Sequence, residues 1–247
     1  MPPTIILIRH AEALHNTSKN WSLPDPELTE LGLKQCEELS DAIKKVPVAN
    51  EVELIIVSPM VRTLQTMEIG LGWLIEKGVE IIADAGWQEN SAKPCDTGSA
   101  LKTVASRFPQ YATALATVDP LYPNKTTPSS NPYAFTRLAV LARGQACLKA
   151  LYSRPEKVIA VVSHSGFLRT AVSGRRYANA DFRIFEFDEE KMGEDKGLGL
   201  EEEGLFRLKE WKETEEKGGG LGKSEKGVFE VLDTDFPGEE VVDEEPV

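Results

Sequence analysis

Short apolar segments alternate with longer amphipathic ones along most of the chain. Residues 4–8, 54–57 and 158–162 are runs of apolar or β-branched side chains, which is typical of strands buried on both faces of a parallel sheet. Residues 79–82 resemble a shorter strand of the same kind. Residues 182–187 alternate apolar and polar side chains like an edge strand, with which residues 205–211 could pair as a hairpin.

The segments between these strands carry signals of helix formation. One helix is predicted to begin with Thr29 as its N-cap and to end at Pro47. Another is predicted to follow the second strand, with Ser58 as its N-cap and Pro59 in the first helical position. Further helical segments are predicted at 99–118, at 132–152 and after residue 164. Strands that alternate with helices indicate an α/β protein with a three-layer α/β/α architecture and a mostly parallel central sheet.

The predicted strands and helices divide the chain into a body and a tail. Residues 1–212 are expected to form one catalytic domain, with residues from about 90 to about 135 as an inserted loop and helical lobe. Residues 213–247 are rich in glycine and glutamate, and we expect a disordered or loosely attached appendage. The competing hypothesis is that this tail folds over the mouth of the site. Its segment 218–224 resembles a phosphate-binding loop, but Lys217 stands where that motif needs glycine.

The net charge of the chain is −12, and all of the excess acidity is in its last quarter. Residues 189–247 hold 20 acidic and 8 basic side chains, whereas the rest of the chain is neutral. This distribution argues against nucleic acid and anionic membranes as partners. A small phosphate ester remains compatible with a neutral body whose arginines converge, and a protein partner for the acidic tail stays an open possibility.

Apolar runs and cysteines narrow the expected environment. No run approaches the length of a membrane span, and the first residues do not read as a secretory signal, so we expect a cytoplasmic protein. The three cysteines, Cys36, Cys95 and Cys147, have neither disulfide nor zinc-site spacing. We therefore expect no metal and no cofactor.

Arginine and histidine residues follow three of the predicted strands. Arg9 and His10 end the first strand, Arg62 lies in the first turn after the second, and His164 follows the fourth. The carboxyl ends of parallel strands meet at one edge of a sheet, so these side chains should meet there. Arginines bind phosphate oxygens in pairs of hydrogen bonds, and a histidine among them is disfavoured as a cation. The sequence therefore predicts phosphoryl transfer through a covalent phosphohistidine.

Arg9-His10-Ala11-Glu12 resembles the Arg-His-Gly signature of the histidine phosphatase superfamily, with Ala11 in place of the usual glycine. The resemblance continues through Asn16, through residues 28–35 and 58–66, and through Val162–Gly166, where Ser165 replaces a more common glycine. It covers roughly residues 4–190, and four motifs occur in family order. The resemblance implies the phosphoglycerate mutase-like fold of that superfamily.

The resemblance also implies roles for individual residues. His10 would be the nucleophile, Arg9, Arg62 and His164 would form the phosphate pocket, and Asn16 would add a hydrogen bond. The proton donor of the family is an acidic residue after the third strand, for which Glu89 is the best match and Asp84 and Asp96 are alternatives. The further substrate-binding candidates are Trp21, Ser165, Asp96 and Thr97. Cys95 is the weaker candidate for a nucleophile, because no histidine lies near it in sequence.

Several activities are compatible with this set of residues. Mutases of the family carry a glutamate-arginine-histidine-tyrosine stretch near the catalytic acid, whereas this chain reads Gln88-Glu89-Asn90-Ser91-Ala92. That departure favours a metal-independent phosphatase. The alternatives are a mutase-like phosphoryl transferase, a member repurposed for non-phosphate hydrolysis or elimination, and a module that only binds phosphorylated ligands.

Overall fold

A six-stranded mixed sheet organises the protein in the computed structural model, which describes residues 1–126, 131–193 and 205–237. The strands are β1 (Thr4–Arg9), β2 (Leu54–Val57), β3 (Glu80–Ala83), β4 (Val158–Ser163), β5 (Phe182–Phe187) and β6 (Leu208–Glu210). Their order is β3-β2-β4-β1-β5-β6. The first four run parallel, whereas β5 pairs antiparallel with β1 and β6 with β5. The predicted α/β class, the mostly parallel sheet and the pairing of 182–187 with 205–211 are confirmed. The prediction that 182–187 is an edge strand is wrong, because β6 pairs with the outer side of β5.

Helices connect the parallel strands and cover both faces of the sheet. They are α1 (Leu14–Ser18), α2 (Glu30–Ile43), α3 (Val61–Gly70), α4 (Gly72–Glu76), α5 (Leu101–Arg107), α6 (Ala112–Leu115), α7 (Arg137–Tyr152), α8 (Ser165–Phe167, continued by a π-helical turn Leu168–Val172) and α9 (Lys212–Lys217). Thr29 caps α2 as predicted, since its hydroxyl accepts the N–H of Gly32 at 2.9 Å. Among the described residues, none of the helices has the length and apolarity needed to cross a membrane.

The predicted N-cap of α3 is wrong. The helix begins at Val61, and Ser58 lies before it. The Ser58 hydroxyl instead lies 2.9 Å from Nε2 of His164. A serine just after a buried strand can cap the next helix or form a hydrogen bond with a neighbouring polar side chain. The Ser58 hydroxyl bonds to the His164 ring and does not cap α3.

The core lies on both faces of the sheet, which explains the uninterrupted apolar strands. On β1, Ile6 and Ile8 pack on one face with α2 and α3, whereas Ile5 and Leu7 pack on the other with α7. All four side chains are fully buried. With alternate residues pointing to opposite faces, no position on such a strand can be polar without burying that polar group.

The C-terminal segment differs from the expected loose appendage over residues 213–237. α9 packs beside β5, and the glycine-rich loop 218–224 closes around the buried carboxylate of Asp181. That carboxylate accepts the backbone N–H of Leu221 at 2.8 Å and the hydroxyl of Ser224 at 2.7 Å. A stretch that resembles a phosphate-binding loop therefore encloses an anion of the protein itself. The composition of the segment did not predict this packing, because Asp181, the partner of the loop, lies about 40 residues earlier in the sequence. The rest of the predicted tail, 238–247, lies outside the described residues.

We predict that Gly219→Ala destabilises the protein far more than Gly227→Ala. Both glycines have a positive φ, +84° and +94°, so either alanine costs about 1–2 kcal/mol in the backbone. An added Cβ at Gly219 would also lie 2.2 Å from the Asp181 carboxylate, whereas at Gly227 it would meet open space. Overpacking adds at least about 1–3 kcal/mol at Gly219. Urea unfolding measures both variants, and equal losses would contradict the Asp181 enclosure.

Candidate active site

The predicted histidines, His10 and His164, directly follow the two central strands, β1 and β4, at the same edge of the sheet. β1 and β4 pair in a register that sets Arg9 opposite Ser163, so His10 and His164 leave the sheet side by side. Their ring centroids are 5.2 Å apart. The structure thus brings Arg9, His10 and His164 together, and Arg62 joins them from the first turn of α3, as the topology predicts.

His10 has a defined tautomer. Its Nδ1 lies 2.7 Å from the carbonyl oxygen of Ala11, which can only accept a hydrogen bond, so Nδ1 carries the proton. Burial, followed by the charges of Arg62 and Arg9, lowers the pKa of His10 well below its ordinary value. The ring is therefore neutral, and the lone pair of Nε2 accepts a hydrogen bond from Nε of Arg62 at 3.3 Å.

Carbonyl groups hold the two arginines in place. Arg62 is fully buried and donates from Nη1 to the carbonyl of Cys95 at 2.8 Å. Arg9 donates from Nη1 to the carbonyl of Tyr177 at 2.8 Å. Burial lowers the pKa of Arg9 to about 10, which leaves it cationic near neutral pH. Asp96, at 3.5 Å from Arg62, is the one carboxylate paired with either arginine among the described residues.

His164 is buried behind His10. Its Nε2 lies 2.9 Å from the Ser58 hydroxyl, and its Nδ1 has no hydrogen-bond partner within the described residues. Burial and the charge of Arg62 lower the pKa of His164 well below the ordinary value. His164 is therefore neutral, and it is fully buried and not among the residues that line the cleft.

Glu89 lies in the cleft beside His10, at the start of the segment that follows β3. Its carboxylate accepts the backbone N–H of Phe167 at 2.9 Å and that of Gly166 at 3.1 Å. These amides begin the helix that follows His164, so the carboxylate is tied to the same strand end as the histidine. Of the two alternative acids, Asp96 lines the cleft, whereas the half-buried Asp84 is not among the lining residues and accepts the N–H of Gly86.

The cleft has a volume of about 340 Å³. Its lining includes the predicted Arg9, His10, Asn16, Trp21, Glu89, Asp96 and Ser165. Arg62 and His164 are fully buried and are not among the lining residues, and neither is Thr97. Its N–H closes the short turn Pro94–Asp96 on the carbonyl of Pro94, so the chain leaves the cleft after Asp96. The role predicted for Thr97 has no support in this geometry.

Other lining residues carried no predicted role. They are His15, Asn90, Ser91, Phe135, Gly166, Arg169, Thr170 and Asp235. His15 was visible as a histidine near the motif, and its ring lies 6.2 Å from that of His10. Burial, aided by Arg62, lowers the pKa of His15 to about 4. Phe135 and Asp235 come from the insertion and the C-terminal segment, and no local pattern marks them.

Lys125 holds the segment that carries Glu89 and Asp96. It is buried, and its ammonium group donates to the carbonyls of Glu89 at 2.6 Å, Ser91 at 2.9 Å and Asp96 at 2.5 Å. Burial and the charge of Arg143 lower the pKa of Lys125 to about 7. Lys125, a side chain of the insertion, thus holds the backbone of residues 89–96, part of which lines the cleft.

Comparisons with known proteins give a family and a fold for the chain. The model of the histidine phosphatase superfamily (branch 1) matches residues 5–192. A phosphoglycerate mutase-like protein of Arabidopsis thaliana is 30% identical over 204 residues, which cover 69% of this chain and 73% of the relative. A probable phosphatase of Schizosaccharomyces pombe is 32% identical over 177 residues, which cover 67% and 76%. The alpha-ribazole phosphatase of Shigella flexneri has the same fold, with a TM-score of 0.50 at 15% identity over 76% of this chain and 92% of that one.

The three buried histidines predict how stability depends on pH. The unfolded chain takes up protons below about pH 6.5, whereas the folded histidines stay neutral, His15 down to about pH 4. The free energy of unfolding is therefore fully retained above about pH 6.5 and falls as the pH decreases, by up to about 1.4 kcal/mol per pH unit for each histidine. Urea unfolding between pH 7.5 and pH 5 measures the slope. His15→Gln should flatten it by one proton, and an unchanged slope would contradict a neutral buried His15.

We predict that Lys125→Met lowers turnover by about tenfold or more and the free energy of unfolding by about 1–3 kcal/mol, because three carbonyls lose their donor. Lys102→Met, an exposed lysine on α5, is the matched control and should change neither. Steady-state kinetics with a small phosphate ester and urea unfolding measure the two effects. Wild-type turnover in Lys125→Met would show that the cleft wall does not depend on this ammonium group.

Proposed function

The chain belongs to the histidine phosphatase superfamily, and we propose that it acts as a metal-independent phosphatase that hydrolyses a phosphate monoester through a phosphohistidine on His10. One observation carries the proposal. Nδ1 of His10 donates to the Ala11 carbonyl, so the lone pair is on Nε2, where it accepts a hydrogen bond from Nε of Arg62 that a bound phosphate would replace. A neutral nucleophile beside buried cations fits attack on a phosphate dianion.

In the first half of the reaction, the phosphate would lie between Arg9, Arg62 and His164. Nε2 of His10 forms a bond to phosphorus while the ester P–O bond breaks. The leaving oxygen takes a proton from the carboxyl group of Glu89, which lines the cleft with His10. The guanidinium groups stabilise the charge that develops on the phosphoryl oxygens, since Arg9 makes no ion pair within the described residues and Arg62 makes one, with Asp96.

In the second half, water replaces the alcohol. Glu89 now accepts a proton from the water, whose oxygen attacks phosphorus, and the P–N bond to His10 breaks. The backbone amides of Asn90, Gly166 and Phe167 keep the Glu89 carboxylate in position through both halves. Free phosphate then leaves, and His10 returns to its neutral tautomer. No metal is needed at any step, because the arginines carry the positive charge.

Contacts of Asn90 favour hydrolysis over a mutase reaction. Its amide oxygen accepts from Nη2 of Arg143 at 2.9 Å, and its amide nitrogen donates to Thr170 at 3.0 Å. The position that follows the proposed acid is therefore engaged with the protein itself. The phosphoglycerate mutase-like relative keeps phosphoryl transfer to a second hydroxyl as the alternative. Added glycerol that traps most of the phosphoryl group would favour the alternative.

We predict that a labelled phosphate ester leaves acid-labile, base-stable phosphate on His10 when the reaction is quenched. His10→Ala should remove the label and lower turnover at least about a thousandfold, because residues of a covalent mechanism act as a unit. Chelator should not change the wild-type rate. Label on serine or cysteine, or undiminished turnover in His10→Ala, would reject the mechanism.

A further inference from the structure

Arg169 is a charged side chain of the cleft that the proposed reaction does not use. It lies on the helical turn after His164 and lines the cleft together with Arg9 and His10. Within the described residues it makes neither an ion pair nor a hydrogen bond, and its Nε is buried without a partner. A guanidinium group with free donors in a cleft is suited to bind an anion.

Neighbouring arginines behave differently. Arg175, Arg176 and Arg183 each pair with a glutamate, at 3.0, 3.2 and 2.7 Å. Arg169 lies close to this group in sequence, in a part of the molecule with many carboxylates, yet none of the described carboxylates is within ion-pair distance of it. Its positive charge is therefore not neutralised by any described carboxylate and remains available to an anion bound in the cleft.

An aromatic ring, rather than a carboxylate, holds Arg169. The guanidinium carbon lies 5.0 Å from the centroid of Phe229, and that of Arg176 lies 4.8 Å from the same ring. Phe229 is buried, and its backbone N–H donates to the carbonyl of Gly174 at 2.7 Å. Stacking on an aromatic face restrains a guanidinium group but leaves its N–H donors free. The C-terminal segment thus orients Arg169 without neutralising it.

The position of Arg169 relates it to the phosphate pocket. Its charge contributes to the lowered pKa of Arg9, so the two guanidinium groups are within electrostatic range. Ser165, four residues earlier, also lines the cleft, and its hydroxyl makes no hydrogen bond within the described residues. Residues four apart share a helix face, so the serine and the arginine can serve the same ligand group.

We propose that Arg169, with Ser165, forms a second anion subsite that binds a carboxylate or a second phosphate on the leaving group of the ester. The proposal rests on the proposed phosphatase function and deepens it, since it names the class of substrate. Arg9 and Arg62 hold the phosphate that is transferred, and Arg169 holds the other anionic end. Asp235 also lines the cleft, and its carboxylate repels a bound anion, which weakens the binding.

The test uses phosphorylated ω-hydroxy acids of increasing chain length, each compared with its own primary amide. The wild-type enzyme should have a kcat/KM for the acid about tenfold or more above that for the amide at the best length, as one charge-assisted hydrogen bond provides. Arg169→Gln should remove most of this preference. Arg176→Gln is the matched control, because Arg176 contacts the same ring but does not line the cleft, and it should keep the preference.

Two further arms sharpen the result. Alkanediol bisphosphates of matched length distinguish a second phosphate from a carboxylate as the preferred anion. Asp235→Asn should raise kcat/KM for the acids more than for the amides, by about two- to fivefold, because a repelling charge is removed. If the ratio of kcat/KM for the acids to that for the amides stays the same or falls, Asp235 does not repel the bound anion.

The outcomes separate the two proposals. If the esters are hydrolysed but acid and amide are equivalent, or if Arg169→Gln keeps the full preference, the subsite is wrong and the phosphatase stands. If no ester is hydrolysed, the phosphatase is wrong. Calorimetric binding of the acids and amides then decides the subsite alone, since a preference for the acid that Arg169→Gln abolishes supports it. Equal affinities would overturn it.

Discussion

β1 and β4 lie side by side at the centre of the sheet, and their parallel register sets Arg9 opposite Ser163. Because the two strands end at the same level, His10 and His164 emerge together, with their rings 5.2 Å apart. α3 follows the strand on the other side of β4 and adds Arg62 to the same edge. Every other contact in the cleft depends on this pairing, since a slip of one residue would turn these side chains to the opposite face.

The second constraint is electrostatic. Two arginines and two imidazoles are removed from water at one strand edge, and burial lowers the pKa of Arg9, His10 and His164. Each arginine donates to one backbone carbonyl, which stabilises its cation without cancelling the charge. Arg62 also pairs with Asp96, whereas Arg9 makes no ion pair within the described residues. Glu89, Asp96 and Asp235 line the same cleft, so only part of the positive charge there is unpaired.

The sequence predicted what local patterns and topology can encode. Uninterrupted apolar strands and their alternation with helices predicted the sheet, and the sheet in turn placed Arg9, His10 and His164 at one edge. Glu89 could be assigned only through the family resemblance. Lys125 acts on a carbonyl 36 residues earlier, and no periodicity marks such a pair. The cap role predicted for Ser58 was wrong, because the local pattern of a helix start does not show that His164, which follows another strand, bonds the same hydroxyl.

Asp181 also links the end of β1 to a loop much later in the chain. The residue precedes β5, its backbone carbonyl accepts the N–H of Arg9, and one donor to its carboxylate, Leu221, lies 40 residues later. Without residues 218–224, the carboxylate would keep the neighbouring N–H of Phe182 and lose its bonds to Leu221, Lys223 and Ser224. Folding of the C-terminal loop is therefore needed to complete the hydrogen bonding of the residue that holds the end of β1 at Arg9.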